Sequence, residues 1–171
     1  MIVLVLGGAR SGKSEVAEGL CRAPVTYLAT AVVRDADMAA RVARHRERRP
    51  EAWETVEAGP ADVVDAVRTA AEPGTTLLLD SLTTWVAEAP DFTVDGPALC
   101  AALQGRGGTC VVVSDEVGLG VHPSTEVGRR FRDRLGELNR AVAEAADRVL
   151  LVVAGRVLVL DPPPDVVSWL R

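Results

Sequence analysis

Nineteen basic side chains are spread over this 171-residue chain, and all but one are arginine. The exception, Lys13, lies in Gly7-Gly8-Ala9-Arg10-Ser11-Gly12-Lys13-Ser14. That run fits G-x-x-x-x-G-K-[ST], in which glycines let backbone N–H groups crowd onto phosphate oxygens while the lysine reaches the β- and γ-phosphates. An ammonium on a flexible stem follows a phosphate, whereas a guanidinium imposes a fixed planar fork. Gly7 through Ser14 are therefore candidate nucleotide-binding residues. Lys13 is the candidate catalytic cation, and the Ser14 hydroxyl is a candidate ligand for Mg²⁺.

Two acids follow apolar runs and are candidates to hold Mg²⁺ or its waters against a nucleotide. Asp80 closes Leu77-Leu78-Leu79, and Glu116 follows Asp115 after Cys110–Val113. Asp80 has a second reading, as a cap on the helix that Ser81 would begin. A further constellation is Arg41-Val42-Ala43-Arg44-His45-Arg46-Glu47-Arg48-Arg49. On a helix Met38, Val42 and His45 share one face, with Arg41, Arg48 and Arg49 one turn from the imidazole and disfavouring its protonation. From the residues alone two readings stay open: a neutral imidazole nucleophile among phosphate-gripping guanidiniums, or a solvated charged helix with a half-buried histidine. His122, in Gly120-Val121-His122-Pro123, reads as part of a turn.

These groups need elements to position them. Ile2–Leu6 is apolar and β-branched, as a buried parallel strand should be, and Val16, Ala17 and Leu20 follow at helical spacing, so the glycine-rich run falls at a strand-to-helix turn. Further strands are expected at Val25–Ala29, Thr76–Leu79, Cys110–Val113 and Val149–Val153, with helical patterns between them. The alternation predicts a single-domain α/β fold over residues 1–171, of the P-loop NTPase kind, with a mostly parallel sheet flanked by helices. A helix is expected from about Glu126 to Ala146, with Val127, Phe131, Leu135, Leu138 and Val142 facing the core. Val157–Leu160 after Gly155-Arg156 predicts a C-terminal edge hairpin, and Asp161-Pro162-Pro163-Pro164 breaks regular structure. Residues from Ala89-Pro90 to Pro97 are expected to form an irregular surface segment.

Composition narrows the class. A formal net charge of −5 argues against a nucleic-acid or anionic-membrane binder. No stretch approaches the ~18 apolar residues of a membrane span, and Cys21, Cys100 and Cys110 suggest neither a disulfide framework nor a zinc site. A cytoplasmic protein is expected.

Four blocks resemble the bifunctional adenosylcobinamide kinase / adenosylcobinamide-phosphate guanylyltransferase family of cobalamin biosynthesis. They are Gly7–Ser14 with Ala17-Glu18; Tyr27-Leu28-Ala29-Thr30; Asp37–Val42 leading through His45-Arg46, Arg49-Pro50, Trp53 and Thr55 to Glu57; and Glu116–Val121 with Pro123. The resemblance implies phosphorylation of adenosylcobinamide by a nucleoside triphosphate, ATP or GTP. Transfer of GMP from GTP to the resulting adenosylcobinamide phosphate then gives adenosylcobinamide-GDP and pyrophosphate. It implies a covalent guanylyl group on His45. Nucleotide contacts carry over to Gly7–Ser14, to Ala29, Thr30 and Ala31, to Arg46, Glu47, Arg48 and Arg49, and to Glu57 and Asp80. A homo-oligomer is implied, with a trimer as the expected form. The chain departs from the pattern in a short stretch between Trp85 and Thr109, in His122, and in the proline-rich tail. The motif is compatible with two other readings, a simple P-loop small-molecule kinase and a nucleotide-sensing interaction module.

Overall fold

The computed structural model describes residues 1–31, 50–70 and 74–162. His45, Arg46, Glu47, Arg48 and Arg49, the helical pattern around them, and the tail from Pro163 lie outside the described residues.

Among the described residues seven strands build one sheet: β1 (Ile2–Gly7), β2 (Val25–Ala29), β3 (Glu54–Glu57), β4 (Thr76–Asp80), β5 (Thr109–Asp115), β6 (Arg148–Val153) and β7 (Arg156–Leu160). Their order is β3-β2-β4-β5-β1-β6-β7, parallel throughout except for the antiparallel β6–β7 pair. Strand residues alternate between the two faces, so each continuous apolar run feeds two cores. Val3, Val5, Val25, Tyr27, Leu78, Val111 and Val113 pack on one face with Ala17 of α1 (Lys13–Leu20). Ile2, Leu4, Leu6, Leu28, Leu77, Leu79 and Val112 pack on the other. There they meet α2 (Val63–Thr69), α3 (Leu82–Glu88), α4 (Gly96–Gly105) and α5 (Glu126–Ala145). Burial of each such Val or Leu contributes about 1.5–3 kcal/mol, and Leu4, Leu77 and Leu79 are fully buried.

The expected strands and the C-terminal hairpin are present. Ala154 and Gly155 join β6 to β7 at φ 49° and 71°, the left-handed pair that a tight two-residue hairpin turn uses. In α5, Leu135, Leu138 and Val142 are buried as their spacing predicts, whereas Val127 is 59% exposed at the first turn. The segment expected to be irregular is more ordered: a 3₁₀ turn spans Pro90–Phe92, and α4 begins at Gly96. Pro97 stands in its first turn, where its missing N–H has no intrahelical partner to lose, and Asp95 Oδ1 accepts the Ala98 N–H at 2.9 Å. The Phe92 ring meets Phe131 of α5 edge-on, with centroids 5.5 Å apart, which ties this segment to the long helix.

Candidate nucleotide and phosphate-transfer site

A parallel sheet presents the carboxyl ends of its strands on one edge, and the register here aligns the candidate residues along it. Ala29 is level with Glu57 on one side and with Asp80 on the other, and Gly7 is level with Asp115. Glu57, Ala29, Asp80, Asp115 and Gly7 therefore end five neighbouring strands, a row about 19 Å across at the usual spacing.

At one end of the row lies the glycine-rich loop. β1 ends on Gly7, a position where any side chain would run into its neighbours. A Cβ on Gly7 would come 2.5 Å from Ser11 Oγ and 2.8 Å from the Val152 carbonyl oxygen of β6. The loop closes through the Ser11 N–H donating to the Gly8 carbonyl at 3.2 Å. Gly12, at φ 92°, turns the chain into α1 as its N-cap, a conformation costly for any residue with a Cβ. The helix thus starts with its unpaired N–H groups on the loop, the arrangement that binds anions.

Lys13 is buried to 6% exposure, and its ammonium both donates to the Gly8 carbonyl at 3.3 Å and forms an ion pair with Asp115. The carboxylate that β5 sets against the lysine is thus Asp115 and not Glu116. Glu116 Oε1 instead accepts the Gly118 N–H at 2.7 Å, and its own N–H donates to the Gly7 carbonyl at 3.2 Å. Asp115 is held by its backbone from two sides. Its N–H donates to Thr83 Oγ1 of α3 at 2.8 Å, and its carbonyl accepts from Asn139 Nδ2 of α5 at 3.0 Å. Asn139 Oδ1 in turn accepts from the fully buried Ser114 hydroxyl at 2.6 Å.

Asp80 lies one strand further along, at the end of β4. Its Oδ2 accepts the Tyr27 hydroxyl at 2.7 Å, from a tyrosine whose ring is in the core. Asp80 is not the cap of α3. Ser81 takes that role in a capping box with Thr84, accepting the Thr84 N–H at 3.3 Å. Thr30, 1% exposed, welds the neighbouring turn to this one: its hydroxyl donates to the Ser81 carbonyl at 2.7 Å and accepts the Ser81 N–H at 3.0 Å. Thr30 N–H donates to the Asp80 carbonyl at 3.2 Å, and the Ala29 carbonyl accepts the Ala58 N–H at 2.9 Å. The turn Ala29-Thr30-Ala31, Glu57 and Asp80 are thereby fixed as one group.

The thiols are poor candidates for covalent chemistry. Burial, reinforced by Glu18, pushes the Cys21 thiol up to about 12. Burial also raises Cys100 and Cys110, for Cys110 against the lowering influence of Arg106. A protonated thiol is a weak nucleophile. His122 places Nδ1 3.0 Å from an Arg132 guanidinium nitrogen, away from the loop in sequence and in partner. Among the described residues no three His, Cys, Asp or Glu side chains cluster as a protein-only metal site requires.

Sheet order, the loop at the end of β1 and the acids on the same edge define a P-loop NTPase-type nucleotide-binding fold. Solved structures share it. An ATPase from the type III secretion system of pathogenic bacteria superimposes with a TM-score of 0.53 at 15% identity, covering 88% of this chain and 50% of that one. A protein from Pyrococcus horikoshii OT3 gives 0.55 at 7% identity, over 96% and 87%. Within that class, residues 3–160 match the model of the family described as cobinamide kinase / cobinamide phosphate guanyltransferase, and the chain belongs to this family. The bifunctional adenosylcobalamin biosynthesis protein CobP of Pseudomonas aeruginosa is 42% identical, over 94% of this chain and 98% of its own length. The proteins named CobU from Escherichia coli K12 and Salmonella typhimurium LT2 are 36% and 38% identical, each over 91% of this chain and 97% of their length.

Proposed function

We propose that this chain phosphorylates adenosylcobinamide and then guanylylates the product. In the first step the substrate hydroxyl oxygen attacks the γ-phosphorus of ATP or GTP, its proton leaves, and the nucleoside diphosphate is released. In the second, a ring nitrogen of His45 attacks the α-phosphorus of GTP and pyrophosphate leaves. The phosphate oxygen of adenosylcobinamide phosphate then displaces the histidine, giving adenosylcobinamide-GDP. The observation that carries the reading is the placement of the phosphate loop, Lys13, Asp115 and Asp80 on one sheet edge, in a chain whose family joins the two activities. The role of His45, with Arg46, Arg48 and Arg49 gripping phosphates, rests on the resemblance of this segment to the family.

In this reading Gly7–Ser14 hold the β- and γ-phosphates, with Lys13 exchanging part of its contact with Asp115 for phosphate oxygens. Ala29, Thr30, Ala31 and Glu57, at the far end of the row, take the nucleoside end. Ser14 and Asp80 would hold Mg²⁺, which binds through one or two carboxylates plus substrate phosphates and so fits an edge with few protein donors. Bound there, Mg²⁺ neutralises charge developing on the transferred phosphoryl group. Glu116, engaged by Gly118, is the weaker candidate ligand.

We read residues 1–171 as one cytoplasmic domain. No helix among the described residues is long and apolar enough to cross a membrane. The edge strand β7, with Val157, Leu158 and Val159 each about half exposed, supports the expected homo-oligomer.

Incubation with adenosylcobinamide, Mg²⁺ and ATP should add one phosphate to the corrinoid, and subsequent GTP should convert it to adenosylcobinamide-GDP, both read by mass spectrometry. Phosphorylation without any guanylyl transfer would leave a simple kinase instead.

A further inference from the structure

The phosphate loop is braced from a direction its motif does not specify. Gly7 of β1 is level with Val152 of β6, so β6 runs on beyond the end of β1 and brings its turn, Ala154-Gly155, over the loop. There the Gly155 N–H donates to the Ser11 carbonyl at 2.8 Å. A Cβ on Gly12 would lie 3.4 Å from Gly155 Cα, so the two backbones meet directly.

We infer that Gly155 is a positioning residue for nucleotide binding, acting through the Ser11–Gly12 peptide. That peptide is planar, so fixing the Ser11 carbonyl also fixes the Gly12 N–H at its other edge. The Gly12 N–H is one of the loop donors that phosphate oxygens need, and a donor aimed in advance has no reorganisation to undergo when the anion arrives. Gly155 reaches this place because φ 71° is open to glycine and strained for a β-branched residue. The inference concerns nucleotide affinity alone, so it rests on the proposed function only in taking the loop to bind a nucleotide.

The test compares three variants by calorimetric affinity for Mg·GTP, at a temperature where all are folded. Gly155→Val should raise Kd about tenfold, as expected from losing one backbone hydrogen bond and its alignment. Gly155→Asn, which tolerates the left-handed conformation and keeps the N–H, should stay within about twofold of wild type. Gly74→Val is the control. Gly74 has φ 88° with nothing near its would-be Cβ, and it should lower Tm without moving Kd. A wild-type Kd in Gly155→Val, or an equal loss in Gly155→Asn, overturns the inference. If Gly155→Val fails to fold, amide exchange on the wild-type protein decides. Saturating Mg·GTP should slow exchange of the Gly155 N–H at least tenfold, and an unchanged rate overturns the inference.

Discussion

The Lys13 ammonium reaches two partners, the Asp115 carboxylate at the end of β5 and the Gly8 carbonyl inside its own loop. The pair is nearly buried on the lysine side, so neither charge is easily replaced. On the proposed reading an incoming triphosphate competes with Asp115 for the ammonium, and the acid would then influence both nucleotide affinity and phosphoryl transfer.

On the proposed reading, Lys13→Met would remove a charge-assisted contact to phosphate, each worth about 1.5–3 kcal/mol. Nucleotide affinity should fall roughly 10- to 150-fold, measured by calorimetry with Mg·GTP. Asp115→Asn frees the lysine from its competitor while keeping the side-chain shape. It should hold or tighten nucleotide binding while lowering turnover; a large loss of affinity would contradict the competition.

Gly7→Ala and Gly8→Ala separate sterics from motif membership. At Gly7 the new methyl meets Ser11 Oγ and the Val152 carbonyl oxygen well inside contact distance, and overpacking of this kind costs about 1–3 kcal/mol. At Gly8 a Cβ has nothing within 4 Å, so stability should change by less than about 0.5 kcal/mol. Urea midpoints of the two variants provide the comparison, and equal effects would contradict it.

Asn139 links the buried Ser114 hydroxyl to the Asp115 carbonyl. Asn139→Leu strands both groups at about 1–3 kcal/mol. Ser114→Ala made in the same chain should recover part of that loss, because the hydroxyl it removes is the one left unpaired. A double-mutant cycle from urea unfolding checks this, and strictly additive losses would argue against the link.

The Cys21 thiol, raised by burial to about 12 from 9, keeps its proton in the folded chain at pH values where the unfolded chain has lost it. Its contribution to stability is complete below about pH 9 and declines as pH rises toward 12. Between pH 9 and 11 wild-type Tm should fall more steeply than that of Cys21→Ala. At pH 8 the native thiol should react with iodoacetamide far more slowly than free cysteine.

The loop, the apolar strands, the long helix and the C-terminal hairpin could be read from the chain because each is written in local pattern: a spaced motif, a β-branched run, a 3.6-residue stripe. β3 could not. Glu54-Thr55-Val56-Glu57 is mostly exposed and polar, and only its pairing with β2 makes it a strand. The order in the segment from Pro90 to Pro97 was hidden by its prolines and glycine, two of which, Gly96 and Pro97, here start a helix rather than prevent one. Asp115 illustrates a different limit. It and Glu116 are adjacent acids after one strand, and which of them meets Lys13 follows from the β1–β5 register, a long-range relation. The parts played by Tyr27, Thr83 and Asn139, which hold Asp80 and Asp115, are specified by no motif, although Tyr27 falls within one of the resembling blocks. They could have been found only by knowing which strands and helices are neighbours.

Incubating the protein with [α-³²P]GTP and Mg²⁺ and following label on the denatured chain tests the guanylyl group proposed on His45. The wild type should take an acid-labile, base-stable label and His45→Ala none, while that variant still transfers γ-phosphate to adenosylcobinamide. Label that persists in His45→Ala, or a wild type that never takes label, would contradict it.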